Sequence, residues 1–357
     1  MPVPDPPHLP GPGTAPATPA YLPVPVRADP VPPVRRAQLA VLAAHLTPRD
    51  QWILAMVHEH RVLTSTQLLA LAFDGERTMR RRLAVLTHRL RVLDRFRPRI
   101  PVGSAPEHYV LGPAGAAWLA AAAELTPRQF GYHRNRAHHI AVSAHLAHAV
   151  GCNEVFTHIA AAGRRTGPDG GQLAAWWSER RCARLFTDAG IRPDGYGHYT
   201  LAPPGEDPDS ARNVRFFLEY DTGTEALTRL TGKLPGYARL AAVSRPQPVL
   251  FYLPSAVRET HLHQLLDQRP PGIPVATTSP DALTDTAGGP TGAVWRPVQQ
   301  HGRAARPASR QRLALIDLDA LTEPAPRLHT GAAAQAAVPN WWTEPPSPLP
   351  PAETGLV

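Results

Sequence analysis

Proline decides how much of this chain can fold. The sequence has 43 prolines in 357 residues, and they crowd its two ends, which read MPVPDPPHLPGPG and EPPSPLPPAETG. Segments so rich in proline and so poor in large apolar side chains cannot bury enough surface to order themselves. Residues 1–40 are therefore expected to be a disordered arm and residues 321–357 a disordered tail. The sequence between them is long enough for two domains, expected at residues 41–122 and 126–320. No basic stretch followed by an apolar run opens the chain, so no signal peptide is expected. The longest small-apolar run, AGAAWLAAAAEL, is too short to span a membrane. Cys152 and Cys182 are the only cysteines and lack metal-type spacing, which suits a cytoplasmic protein and argues against structural zinc. A net charge of +8 points to a polyanionic partner, nucleic acid before membrane.

The first domain reads as helix, helix, basic helix, hairpin. Thr47-Pro48-Arg49-Asp50 is a strong helix start, with threonine at the cap and proline at the first helical position. A second helix is expected over Thr64–Phe73, capped by Thr64. In the third, Met79, Leu83, Leu86 and Leu90 recur at helical spacing and form a buried stripe. Arg77, Arg81, His88 and Arg91 lie opposite, flanked by Arg80 and Arg82. Two short strands carrying Arg95, Arg97 and Arg99 follow. This is the order of a winged helix-turn-helix. Such a helix fits the major groove, and its arginines can grip phosphates or guanine edges. Arg77, Arg80, Arg81, His88, Arg91, Arg95 and Arg97 are the expected contacts to double-stranded DNA.

The second domain is expected to begin with a helix through His133, His138, His139, His145 and His148, ended by Gly151. A strand at Val155–Ile159 and a helix containing WWSERR follow. In VRFFLEYD alternation places Phe217, Glu219 and Asp221 on one face, with Phe216, Leu218 and Tyr220 on the other. Carboxylates on an apolar strand are costly unless they meet a cation or donors. Asp194, folded back beside them through the turn PPGEDPDS, would complete a set of hard oxygen ligands suited to Mg2+ or Mn2+. Thr222-Gly-Thr-Glu225 is a capping-box sequence for a next helix, on which Glu225, Arg229, Lys233 and Tyr237 succeed one another at four-residue steps. Lys233 is the single lysine among 37 basic residues. Its ammonium is a tunable point charge where guanidinium is a fixed fork. Pro235 and Gly236 suggest a break just after it.

This constellation resembles the PD-(D/E)xK nucleases, whose fold is restriction-endonuclease-like α/β. Pro193-Asp194 stands for the PD and Glu219 for the acidic residue of the second motif. Asp221 occupies the usual lysine position, and the resemblance implies that Lys233 has taken over that role from the next helix. Glu179 matches an acidic residue that such folds carry on their first helix. Residues 45–320 also resemble the replication-relaxation family of actinobacterial plasmids and integrative elements, through TPRDxxIL, RRRLAVL, HHIAV, PDGYG and FFLEYDTGTEALTRLTGKLPGY. Together these resemblances imply a plasmid or mobile-element protein of replication, relaxation or transfer, with a metal-dependent nuclease or nickase centre of Asp194, Glu219, Asp221, Lys233 and Glu179. The alternative is a DNA-binding copy-control protein on a degenerate nuclease scaffold, where Lys233 and Asp221 form a plain ion pair. A strand-transferring relaxase would need His261 and His263 on one face, but AVRETHLHQLLDQ reads as a helix. Monomer and homodimer both stay open.

Overall fold

The computed structural model describes residues 21, 36–126, 128–167, 170–202, 211–284, 286, 288–298, 311–322 and 344–351. Its first part is built from α1 (Arg36–His45), α2 (Pro48–His60), β1 (Leu63–Thr64), α3 (Ser65–Ala72), α4 (Glu76–Ala84), β2 (Leu93–Phe96), β3 (His108–Leu111) and α5 (Pro113–Ala122). Thr47 caps α2 and Thr64 caps α3, each through a capping box closed by the side chain three residues on, Asp50 and Gln67. After α4 the chain makes a π turn over Val85–Arg89. Met79, Leu83 and Leu86 stay buried on the inner side while Arg77, Arg80, Arg81, His88 and Arg91 are exposed. β3 pairs antiparallel with both β1 and β2 in a small sheet ordered β1-β3-β2. Within it, α2, α3 and α4 with the paired hairpin are consistent with a winged helix.

The second part contains α6 (Arg134–His139), α7 (Leu146–Thr166), β4 (Gln172–Ser178), α8 (Glu179–Leu185), β5 (Gly195–Leu201), β6 (Arg212–Tyr220), α9 (Leu227–Thr231), α10 (Leu234–Val243), β7 (Val249–Tyr252), α11 (Ala256–Gln268), β8 (Val275–Thr278), α12 (Pro280–Leu283) and β9 (Arg296–Pro297). The strands form one sheet in the order β4 to β9. β4, β5 and β6 are an antiparallel meander; β7 and β8 add in parallel, and β9 closes the edge antiparallel. Helices cover both faces. Phe216, Leu218 and Tyr220 share one core with Phe156 and Ile159 of α7. Phe217 and Phe251 share the opposite core with Tyr237 of α10 and Leu262 of α11. The mixed α/β class expected from the sequence is the class observed, and among the described residues no helix is long and apolar enough to cross a membrane.

Several local expectations are corrected. Gly151 does not end a helix; it lies inside α7. A Cβ there would stand 2.2 Å from Cζ of Tyr220, so glycine serves close helix-to-strand approach rather than termination. Val155–Ile159, expected as a strand, is the middle of α7, where the apolar residues bury at helical spacing. The tryptophans of WWSERR belong to β4, and α8 starts only at Glu179, capped by Ser178. RLALIDL makes a single bridge from Leu313 to Trp295 and then a 3-10 helix over Leu315–Leu321. The turn PPGEDPDS lies outside the described residues.

The ends are also more engaged than their proline content implies. α1 begins at Arg36, inside the expected arm, and residues 344–351 of the expected tail lie against the first part. There the indole N–H of Trp52 donates to the Ser347 carbonyl at 2.7 Å, and Leu349 packs on the core. Tyr21 sets its ring edge-on against His108, with centroids 5.2 Å apart.

The two parts share one apolar core, which runs from Ile53 and Leu68 through α7 to Trp176 and Phe216. Polar contacts lock the junction. Arg181 of α8 grips Glu59 of α2 through Nε at 2.9 Å and a terminal nitrogen at 2.8 Å, and both side chains are about 5% exposed. Ser178 adds a hydroxyl donor to Glu59 at 2.7 Å. Asn153 of α7 donates to the Val62 carbonyl at 2.8 Å, and Gln67 of α3 donates to the Val150 carbonyl at 3.0 Å.

Candidate functional site

The acidic cluster is assembled where β5 and β6 pair. Gly195 lies opposite Leu218, and the Asp194 N–H donates to the Leu218 carbonyl at 3.1 Å, so Asp194 sits beside Glu219 at the strand ends. Asp194 Oδ2 accepts from the Tyr220 N–H at 2.8 Å and faces His148 Nε2 at 3.0 Å. Burial works to raise this carboxyl, but its bonds to His148 and the nearby Lys233 hold it below the ordinary value.

Glu219 is 1% exposed, on the same sheet face as Phe217. Its Oε2 takes a hydrogen bond from Lys233 Nζ and its Oε1 takes one from the Tyr237 hydroxyl. Burial, together with the Asp194 charge, pushes this carboxyl up to about 8. Lys233 is depressed by its own burial, yet Glu219 and Asp194 outweigh that and hold it above its ordinary value. The lone lysine therefore pairs with Glu219. The ion pair between Lys233 and Asp221 weighed from the sequence is not formed.

Asp221 shares the Glu219 face but not its surroundings. Arg258 of α11 grips both of its carboxylate oxygens, and Oδ1 also accepts from the Gly223 N–H at 2.8 Å. That short turn, with Gly223 at φ 82°, delays the helix expected at Thr222 until Leu227. Lys233 lies at the joint between α9 and α10, with Pro235 in the first turn of α10. The four-residue ladder survives the joint, because Lys233 and Tyr237 reach the two oxygens of one carboxylate.

A hard-cation site needs free carboxylate oxygens from several residues. Here Asp221 is saturated by Arg258, both oxygens of Glu219 are taken, and its raised value favours the protonated form. Asp194, Glu219 and Asp221 thus do not form the shared ligand set expected for Mg2+ or Mn2+, and no chemical step is assigned to such an ion. Glu179 is not on the helix preceding the meander. It is exposed at the start of α8 and lines a cleft of about 230 Å³ with Asp194, His148 and Cys152. That preceding helix, α7, instead presents His148 and Cys152 towards Asp194. Their i, i+4 spacing was visible in the sequence, but the carboxylate that completes the group comes from 42 residues later. His263 is buried against Thr277 while His261 is exposed, so the two do not make a pair.

On the first part of the chain, the basic surface divides into arginines held by acidic partners and arginines with none among the described residues. Arg82 donates to the buried Asp50 at 2.9 Å and to the His45 carbonyl at 2.9 Å. Arg80 pairs with Glu76, and Arg95 and Arg97 share Glu107 at 3.4 and 2.9 Å. Arg77, Arg81 and Arg91 are exposed and have no ion-pair partner among the described residues.

The sequence profile described as replication-relaxation matches residues 54–250, which takes in α2 through the meander and into β7. Comparison with curated proteins and with solved structures returns no significant match. Since the profile spans more than half of its length, the chain belongs to the replication-relaxation family.

Proposed function

We propose that this is a double-stranded-DNA-binding protein of plasmid or mobile-element replication, with the sheet unit as a nuclease-like scaffold. One observation carries the reading: Arg77 and Arg81, exposed and without an ion-pair partner among the described residues, stand one turn apart on α4 in a chain of net charge +8. The helix supplies the groove-entering element. Arg91, with Arg95 and Arg97 on the hairpin, supplies flanking phosphate contacts. Anisotropy of a labelled plasmid duplex, read across a salt series, tests it. Replacing Arg77 and Arg81 together by alanine should weaken binding and flatten the log–log salt slope by about two. An unchanged affinity and slope would remove the groove assignment.

A second reading, a phosphodiester-cutting enzyme, is favoured by the meeting of Lys233 with Glu219 next to Asp194. Nicking of supercoiled plasmid in magnesium or manganese buffer decides between the two. Cutting that disappears in Asp194→Ala and Lys233→Ala would establish catalysis. Equal conversion by wild type and both variants would leave the scaffold reading.

A further inference from the structure

His148 and Cys152 stand one turn apart on α7, and their ring nitrogen and sulfur lie with an Asp194 oxygen inside a 4.8 Å group, the one set of its kind among the described residues. His148 Nε2 is 3.0 Å from Asp194 Oδ2. Cys152 Sγ is 3.8 Å from Nδ1 and 3.9 Å from Nε2, long contacts within sulfur hydrogen-bond reach of both nitrogens. These separations are close to the edges of a tetrahedron built from zinc bonds of about 2.0–2.3 Å, which span about 3.3–3.8 Å. An independent observation points to the same cleft. His60, 4% exposed, lines it, and neither of its ring nitrogens has a hydrogen-bond partner among the described residues. A buried imidazole left so calls for water or a ligand in the space it faces.

The chemistry of the donors selects the ion. A thiolate, an imidazole and one carboxylate are unsuited to magnesium, which wants oxygen, and suited to zinc and its neighbours. We propose that His148, Cys152 and Asp194 bind a zinc-like divalent transition-metal ion in this cleft, leaving a fourth position for water or another cleft side chain. Coordination releases two protons to solvent, that of the Cys152 thiol and the one His148 shares with Asp194, and so exchanges the His148–Asp194 hydrogen bond for two metal bonds. The site does not depend on whether the protein binds or cuts DNA.

Cobalt titration of the full-length, chelator-stripped protein tests this, because a thiolate ligand gives a charge-transfer band in the near ultraviolet. The expected result is one Co2+ per chain, with that band and tetrahedral visible bands, displaced by Zn2+. Cys152→Ser should abolish the charge-transfer band, Cys182→Ser should keep it, and His148→Gln or Asp194→Asn should weaken binding at least about tenfold. Circular dichroism of each variant checks its fold, and His148→Gln carries the test if Cys152→Ser does not fold. Absence of the band in wild type at stoichiometric cobalt would overturn the proposal. So would a band that survives in Cys152→Ser, or binding indifferent to His148→Gln.

Discussion

Replacing Glu219 by glutamine isolates a strongly perturbed carboxyl of the sheet unit. The side chain is 1% exposed, and burial beside Asp194 moves it from an ordinary 4.5 to about 8, even with Lys233 and Tyr237 bonded to it. Between those two values the folded protein retains a proton that the unfolded chain has released. Stability contributed at this position is therefore complete below pH 4.5, falls as pH rises, and is gone above about 8. Each pH unit inside the window is about 1.4 kcal/mol, so the whole window amounts to on the order of 5 kcal/mol. Glutamine keeps an acceptor and does not titrate. Urea unfolding of both proteins at pH 5, 6, 7 and 8 should show wild type losing several kcal/mol relative to Glu219→Gln as pH rises. A difference that stays flat would mean that the carboxyl ionises normally. A difference that grows in favour of wild type would mean that the Lys233 ion pair outweighs burial. Either result refutes the reasoning.

Two further substitutions test the packing. Gly151→Ala places a methyl 2.2 Å from Tyr220 Cζ and should cost about 1–3 kcal/mol in urea unfolding, largely restored by Tyr220→Leu in the same chain. Glu59→Gln leaves Arg181 buried without its counter-charge and should cost about 3–5 kcal/mol, while the double change Glu59→Gln with Arg181→Met should cost less than the sum of the two single changes in a denaturant cycle.

Elements fixed by near neighbours were readable in the sequence, and those fixed across the fold were not. Thr47 and Thr64 announce their helices because a capping box closes within three residues. The alternation in VRFFLEYD placed its side chains on two faces because a strand has only two. Val155–Ile159 misled because a short apolar run with β-branched residues fits strand and helix equally, and the surrounding α7 decides it. Asp221 was assigned to a metal because its counter-charge, Arg258, comes from α11, 37 residues on. The partner of His148 is illegible for the same reason, since Asp194 reaches it only through the pairing of β5 with β6.

The junction between the helical unit and the sheet has a consequence for how the molecule can be taken apart. What fastens the halves is the Glu59–Arg181 clamp and a helix, α7, that contributes to the core of both. The connection between α5 and α6 adds Phe130 and the partly buried Tyr132 to that same core. Severing the backbone there should yield two fragments that co-migrate as a stoichiometric pair. Lengthening the same loop should leave the spacing between α4 and the acidic strand ends unchanged. The distance between them is a property of side-chain packing, and a tether of any length would preserve it.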